Sequence, residues 1–363
     1  MTFIITKLVY RIAVLIQSLI PTIQSTSKDK NIVIEAGKNG WKSIFLGELF
    51  ISAVESEEFD DVSKLCISSN SGYIKQNFKF IKSYKPKYFL FDIRTLQGNH
   101  IKRLIVAFYL VIIFKRFGIK PISILTDPSL RFDRILTIFI TSTIGKIVTF
   151  IDYSLVSRFF YKSVVVGPIL PPISMRTRNN LQEFMPRTLE LSTNRNVSIG
   201  FIGDLYESRL KLFREIEQEI IKRNLPLDFI YLHKERDLDG TNYWNQILQF
   251  DLIITTTRQG IDHIKKYGKL KKLADFTDIN QIVFRITETL VANRVLICEK
   301  APGIEKFFDE HNDLITFSSV NELLIKLFYL LENRGELDLI RKSGFSKISL
   351  YMNEDYFWRK VIN

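Results

Sequence analysis

"VSIGFIGDLYESRLKLFREIEQEIIKRNLPLDFIYLH", residues 197–233, carries two different periods in one stretch. "VSIGFIGD" (197–204) is β-branched and aromatic and has a glycine near its end, which predicts a strand closed by a tight turn. "YESRLKLFREIEQEIIKRN" (206–224) sets apolar residues at helical spacing and finishes in cations, where a helix dipole favours positive charge. "LDFIYLH" (227–233) returns to the strand pattern. Strand, helix, strand at this spacing argues for a parallel sheet covered on both faces.

Downstream the pattern continues. "NYWNQILQF" (242–250) reads as a helix and "DLIITTT" (251–257) as a strand, followed by the basic stretch "RQGIDHIKKYGKLKK" (258–272). A helix over about 281–293 leads into the strand "RVLICE" (294–299), and "DLITF" (313–317) predicts a last strand. Three helices, 319–334, 336–349 and 354–362, follow. Upstream, "NIVIEAGKNGW" (31–41) is a strand running into a glycine-containing loop, with a helix at about 42–55. "LCISS" (65–69), "YFLFDIR" (88–94) and "PISILTD" (121–127) are further strands. "VVVGPILPPI" (164–173) holds three prolines, which cannot continue a helix and make a stiff connector. No internal sequence repeat is visible, although the two halves share an architecture.

Composition agrees with two cores. The chain has 363 residues, more than one hydrophobic core usually serves. Hydrophobic residues make up 46% and charged residues 25%, a globular balance. The net charge of +12 implies anionic partners: phosphates, nucleic acid or an acidic membrane surface. The cations are spread along the chain and carry no RNA- or DNA-binding signature, so nucleic acid is the weaker reading. The two cysteines, Cys66 and Cys298, suggest a reducing compartment with neither a disulfide framework nor a metal site. The four histidines show no metal-ligand spacing, and no nucleophile motif such as G-x-S-x-G occurs.

Membrane spans are not expected. "LIVAFYLVIIF" (104–114) is too short to cross a bilayer, and "ILTIFITSTIGKIVTFI" (135–151) carries Lys146. Both fit buried helices. At the N-terminus, a helix over 1–23 places Ile5, Leu8, Val9, Ile12, Leu15, Ile16 and Leu19 on one face, with Lys7, Arg11 and Ser18 opposite. Two readings stay open for it: a helix lying in a membrane interface, or one packed on the protein.

Two doubly wound α/β domains in tandem, with a proline-rich connector and C-terminal helices, resemble the GT-B glycosyltransferase fold. The residues that carry the resemblance are "FRITETLVANRVLICEKAPGIEKFF" and "LITFSSVNELLIKLFYLLENRGELDLIRKSGFSKI". They are similar to the C-terminal region of spore-maturation-protein (CgeB-like) glycosyltransferases and of glycosyltransferase group 1, with an exostosin-like R-x-x-E segment. The resemblance covers about 283–350 well and 197–257 loosely, and the N-terminal half only as architecture. It implies two Rossmann-like domains facing a cleft, with a domain plan of five parts. These are an amphipathic helix (1–23), an acceptor-side domain (24–173), a linker (174–196), a nucleotide-sugar-binding domain (197–340) and C-terminal helices packing back on the first domain (341–363).

The resemblance also implies roles. Glu288 holds the position of the acid that binds the ribose hydroxyls of a nucleotide sugar, and a carboxylate can accept from two vicinal hydroxyls at once. Arg285, one turn nearer the helix start, would meet the diphosphate together with backbone N–H groups. The plain alternative is an i, i+3 ion pair worth about 0.2–0.5 kcal/mol. In the donor-binding reading Glu288 is expected to be exposed on a helix turn, so that Glu288→Ala leaves the fold intact. Two departures stand out. The acid often found eight positions earlier is Asn280 here, with Asp278 nearby, which leaves the sugar contacts unassigned. The glycine expected after the helix is Asn293, which can still adopt the left-handed helix stop.

Further candidates follow from position. Gly203 would let the backbone approach donor phosphates, or simply make the turn; Gly37 and Gly40 stand at the matching acceptor-side loop. Arg258, in the basic stretch, would neutralise a diphosphate. Asp127, after "ISILT", is the candidate catalytic base, because ligands collect outside the carboxyl ends of parallel strands. Its plain role is a turn residue before Pro128. The expectation is thus a metal-independent glycosyltransferase moving a sugar from a nucleotide-diphosphate sugar to a hydroxyl, with no cofactor beyond that donor substrate. Its acceptor would be a glycan or lipid-linked molecule in cell-surface polysaccharide or glycolipid synthesis, at the cytoplasmic face of a membrane with an anionic surface. The alternatives are a non-catalytic GT-B-like scaffold or nucleotide-sugar-binding protein, and, behind these, a nucleotide-sugar epimerase.

Overall fold

The computed structural model describes residues 2–22, 30–35, 41–65, 71–93, 100–125, 131–142, 144–150, 160, 162–184, 196–203, 205, 207–233, 240–257 and 282–363. The candidates Gly37, Gly40, Asp127 and Arg258, with Cys66 and the basic stretch 258–272, lie outside the described residues. The described chain divides into two compact units. One holds the residues up to Ile169 together with Glu354–Asn363, and the other holds those from Leu170 to Asn353.

The first unit is built on β1 (Asn31–Glu35), β2 (Asp61–Leu65), β3 (Tyr88–Asp92), β4 (Lys120–Leu125), β5 (Lys146–Thr149) and β6 (Val164–Val166). These lie in the order β2-β1-β3-β4-β5-β6, each pair parallel. β1, β3 and β4 are near-continuous apolar runs because helices cover both faces of such a sheet. The helices are α1 (Thr2–Leu19), α2 (Trp41–Glu55), α3 (Ser71–Tyr84), α4 (His100–Phe117) and α5 (Arg131–Thr141), with Glu354–Ile362 (α12 in chain order). α12 fills a gap that α2 and the turn after it leave. Trp358 is fully buried and donates to Ser52 Oγ at 3.2 Å, edge-on to Phe59. Asp355 accepts from Ser56 Oγ (2.7 Å) and from the Glu57 N–H (3.1 Å).

Three sequence expectations change here. β2 is Asp61–Leu65, an edge strand half open to solvent that takes in only the first residue of "LCISS", and the other four lie outside the described residues. Residues 135–151 are not one helix: α5 stops at Thr141 and β5 starts at Lys146. Between them a Cβ on Gly145 would lie 2.4 Å from the Pro121 carbonyl oxygen, so the chain closes on β4 only with glycine there. The segment set aside as a linker contains a helix, α6 (Met175–Phe184), and the second unit runs to Asn353, beyond 341.

α1 packs on α5 and α4. It does so through Thr6, Ala13 and Gln17, all buried, with Gln17 Nε2 donating to Ser142 Oγ at 3.1 Å. Its large apolar residues Ile4, Leu8, Ile12, Leu15 and Leu19 point to solvent. Among the described residues no helix is long and apolar enough to cross a membrane.

The second unit carries β7 (Val197–Gly203), β8 (Leu227–His233), β9 (Leu252–Thr255), β10 (Val295–Glu299) and β11 (Ile315–Phe317), parallel in the order β11-β10-β9-β7-β8. α7 (Glu207–Lys222), α8 (Gly240–Leu248), α9 (Phe284–Val291), α10 (Val320–Glu332) and α11 (Arg334–Ser349) accompany it. On one face Phe213, Ile216, Leu324 and Leu327 close over Ile199, Ile254, Ile297 and Phe317. Numbered from its own first strand, each sheet begins 2-1-3-4-5, so the strand order reverses between β1 and β3 and again between β7 and β9. Ligands of doubly wound sheets collect outside the carboxyl ends at such a reversal.

Candidate functional site

At the reversal point of the second sheet, β7 ends at Gly203 and β9 runs into Thr256 and Thr257. Arg285, the second residue of α9, donates from Nη2 to the Ile202 carbonyl at 2.7 Å and so pins the start of α9 to the end of β7. Its Nε lies 3.5 Å from Glu288 Oε2, one turn on, and its guanidinium sits 4.9 Å from the Tyr243 ring centroid. The Tyr243 hydroxyl, from α8, donates to the same Oε2. Burial pushes the Tyr243 phenol well above its ordinary range, with Arg285 opposing and Glu288 adding, so at neutral pH the hydroxyl remains a donor.

Glu288 is 4% exposed, which corrects the expected exposed turn. Every residue from Ile286 to Val291 is buried, because β10 lies against one side of α9 and α11 against another. α11 comes this close because a Cβ on Gly344 would sit 2.3 Å from the Asp313 carbonyl oxygen and 2.9 Å from Leu290 Cδ2. The exit of α9 is a left-handed stop. Asn293 has φ 54°, its N–H reaches the Leu290 carbonyl, and the Arg294 N–H reaches that of Thr289.

The pair is half used within the protein. Glu288 Oε2 takes both Tyr243 and Arg285, while Oε1 has no partner among the described residues. Arg285 Nη2 is bonded, while Nη1 is buried with no acceptor among them. A surface ion pair would spend neither a backbone carbonyl nor a buried tyrosine. This arrangement fixes one carboxylate oxygen and one guanidinium nitrogen and leaves Glu288 Oε1 and Arg285 Nη1 without a hydrogen-bond partner among the described residues.

A second cation reaches the same edge. Arg209, in the first turn of α7, donates from Nε to Thr256 Oγ1 at 2.9 Å and lies 4.8 Å over the Phe201 ring. The sequence offered a signal for it: a cation in a first helical turn opposes the helix dipole and asks for a reason. Thr257 fastens β9 to β10, its N–H donating to Glu299 Oε2 (3.2 Å) and its hydroxyl to the Glu299 carbonyl (3.1 Å). Gly203 borders this cluster, and a Cβ there would meet Phe201 Cζ at 2.9 Å. The sheet of the first unit ends in acids at its own reversal point. Glu35 closes β1 and Asp92 closes β3, both buried, and Glu35 Oε2 accepts the Asp92 N–H at 3.3 Å. Sequence reasoning passed over both, although an acid closing an otherwise apolar strand, "NIVIE" or "YFLFD", is the visible cue.

Comparison with known proteins falls on the same region. Residues 263–358 match the family model described as glycosyl transferase-like. A search of curated proteins gives no match. Among solved structures, sucrose-phosphate synthase from Thermosynechococcus elongatus superposes with a TM-score of 0.51 at 8% identity, over 92% of this chain and 96% of that one. A glycosyltransferase from Rickettsia africae gives 0.52 at 10% identity, over 92% and 97%. Anabaena HepE in complex with UDP-glucose gives 0.50 at 11% identity, over 91% and 97%. At these identities the likeness establishes the fold, which is GT-B: two parallel sheets, each flanked by helices.

Proposed function

We propose that this protein is a glycosyltransferase that takes a nucleoside diphosphate sugar at the carboxyl edge of its second sheet and transfers the sugar to a hydroxyl acceptor. The half-used Arg285–Glu288 pair carries this reading, since it lies at the strand-order reversal and inside the segment with the glycosyl transferase-like match. HepE, of the same fold, holds UDP-glucose. Glu288 Oε1 accepts from a ribose hydroxyl, with Tyr243 and Arg285 fixing the carboxylate plane. Arg285 Nη1, Arg209 and the N-terminal turn of α9 face the diphosphate and stabilise its negative charge as the glycosidic bond breaks, without a metal. Gly203 lets the phosphates approach β7, and Arg258 adds charge on the diphosphate side.

The first unit takes the acceptor. Its base deprotonates the attacking hydroxyl if the reaction inverts at the anomeric carbon, and Asp127, two residues past the end of β4 in the sequence, is the proposed base. Gly37 and Gly40, which follow β1 in the sequence, are proposed to border the acceptor. The acceptor is a growing glycan or a lipid-linked sugar of cell-surface polysaccharide synthesis, which the outward apolar stripe of α1 supports by suiting a protein at the inner face of a membrane.

Calorimetry with UDP and with uridine tests the donor site. Arg285→Ala should weaken UDP binding at least tenfold and uridine binding much less, while Glu288→Gln should weaken both. Unchanged affinity for UDP in both folded variants would remove the pair from donor binding.

A further inference from the structure

The amino edge of the first sheet, the end away from Glu35 and Asp92, holds a cavity of about 440 Å³, within the range of small-molecule sites. Tyr88, Lys120 and Lys146 open β3, β4 and β5, and all three line it. Register explains the convergence. Tyr88 pairs with Lys120, and Lys146 pairs with Ile122, two residues past Lys120, so the three side chains leave the same face of the sheet. Lys115, in the last turn of α4, lines the same cavity. Lys120 Nζ lies 6.0 Å from the Tyr88 ring centroid.

No Asp or Glu side chain among the described residues neutralises these cations. None of the three lysines forms an ion pair with a described residue, and the described lining contains no Asp or Glu. Burial lowers the Lys146 ammonium pKa and the neighbouring Lys120 lowers it further, which places the two like charges close together. Such a convergence costs stability in the protein alone, and it becomes favourable when an anion sits among the three. Gly145, at the floor, admits no larger residue.

We propose that this cavity is a binding site for a phosphate- or diphosphate-bearing ligand, held by Lys115, Lys120 and Lys146 with Tyr88 as an apolar wall. It is separate from the proposed donor site, so a ligand here acts as an effector or an anchor rather than a substrate. Two sources share the chemistry: a soluble phosphorylated metabolite and the headgroup of an anionic lipid.

The test starts from Arg285→Ala, which removes a donor-site grip on diphosphate. Calorimetry with pyrophosphate should still show binding to this protein. Adding Lys120→Gln or Lys146→Gln should weaken it at least tenfold, while the melting temperature without ligand stays level or rises as the repulsion is relieved. Lys115→Gln, at a helix end, serves as a third variant should a strand-opening substitution unfold the protein. The same lysine substitutions in the parent chain should leave uridine affinity as it was. Sedimentation with phosphatidylcholine vesicles carrying phosphatidic acid separates the sources. Loss of pelleting in the lysine variants assigns a lipid headgroup, and unchanged pelleting with lost pyrophosphate binding assigns a soluble ligand. No pyrophosphate binding by Arg285→Ala, or equal binding by the folded lysine variants, would overturn the site while leaving the donor-site reading untouched.

Discussion

Glu288 joins stability to function through one oxygen. Its Oε2 satisfies Tyr243 and Arg285 in a buried setting, so Glu288→Ala strands a phenol and a guanidinium together. Removing one partner of a buried pair costs about 3–5 kcal/mol, and denaturant unfolding should show a loss near the lower figure because Arg285 keeps some solvent. Tyr243→Phe keeps the packing and loses only the hydrogen bond to a charged acceptor, a cost of about 1.5–3 kcal/mol. It should also weaken UDP, since the carboxylate loses one of its two fixings. A Tyr243→Phe protein of parental stability and UDP affinity would show that the hydroxyl contact does neither job. The R-x-x-E spacing was legible in the sequence because i and i+3 share a helix face. The burial was not, because its cause, Tyr243, comes from a helix more than 40 residues earlier.

Helix starts and close approaches decide the elements. α10 begins with a reciprocal cap, in which Ser319 Oγ accepts the Glu322 N–H (3.2 Å) and Glu322 Oε2 accepts that of Ser318 (2.9 Å). Ser319→Ala should cost about 1 kcal/mol in thermal or urea unfolding. A hydrogen bond from Lys326, then that from Ser318, holds the Glu322 carboxyl below its ordinary 4.5. A carboxyl lowered in the fold contributes stability that is present above the unfolded value and lost as pH falls through the folded one. The gap between parent and Glu322→Gln should therefore be widest at neutral pH and close below 4.5, and a gap constant with pH would exclude the linkage. Gly344→Ala should destabilise by about 1–3 kcal/mol, since its new Cβ meets a backbone carbonyl. Sequence patterns found β1, β3 and β4 of the first sheet and all five strands of the second, whose apolar runs are continuous. They missed the half-exposed residues 61–64 of β2, took β6 for part of a connector, and hid β5 inside an apolar run that a tertiary contact at Gly145 interrupts.

At the scale of the molecule, the two readings of α1 turn out to be compatible. The helix packs on α5 and α4 through small and polar residues and leaves Leu8 and Leu15 outside, while α4 exposes Ile101, Leu104, Ile105 and Phe108. Membrane attachment is best tested with the helix in place, because deleting it would bare α5. Leu8→Ser with Leu15→Ser should keep the melting temperature and reduce pelleting with anionic vesicles several-fold. Equal pelleting of parent and variant would take α1 out of membrane binding.

α12 has a consequence for the order in which the molecule can be completed. The residues that plug the first unit, Asp355 and Trp358 among them, are translated after every residue of the second. On the ribosome the second unit therefore has its whole sequence first, while the earlier-made sheet waits with Ser52 and Phe59 uncovered. Nascent chains ending at Asn353 and held by an unrelated tether long enough to span the exit tunnel should resist protease across β7–β11 and be cut within β1–β6. Adding Glu354–Asn363 ahead of the same tether should then confer protection on β1–β6.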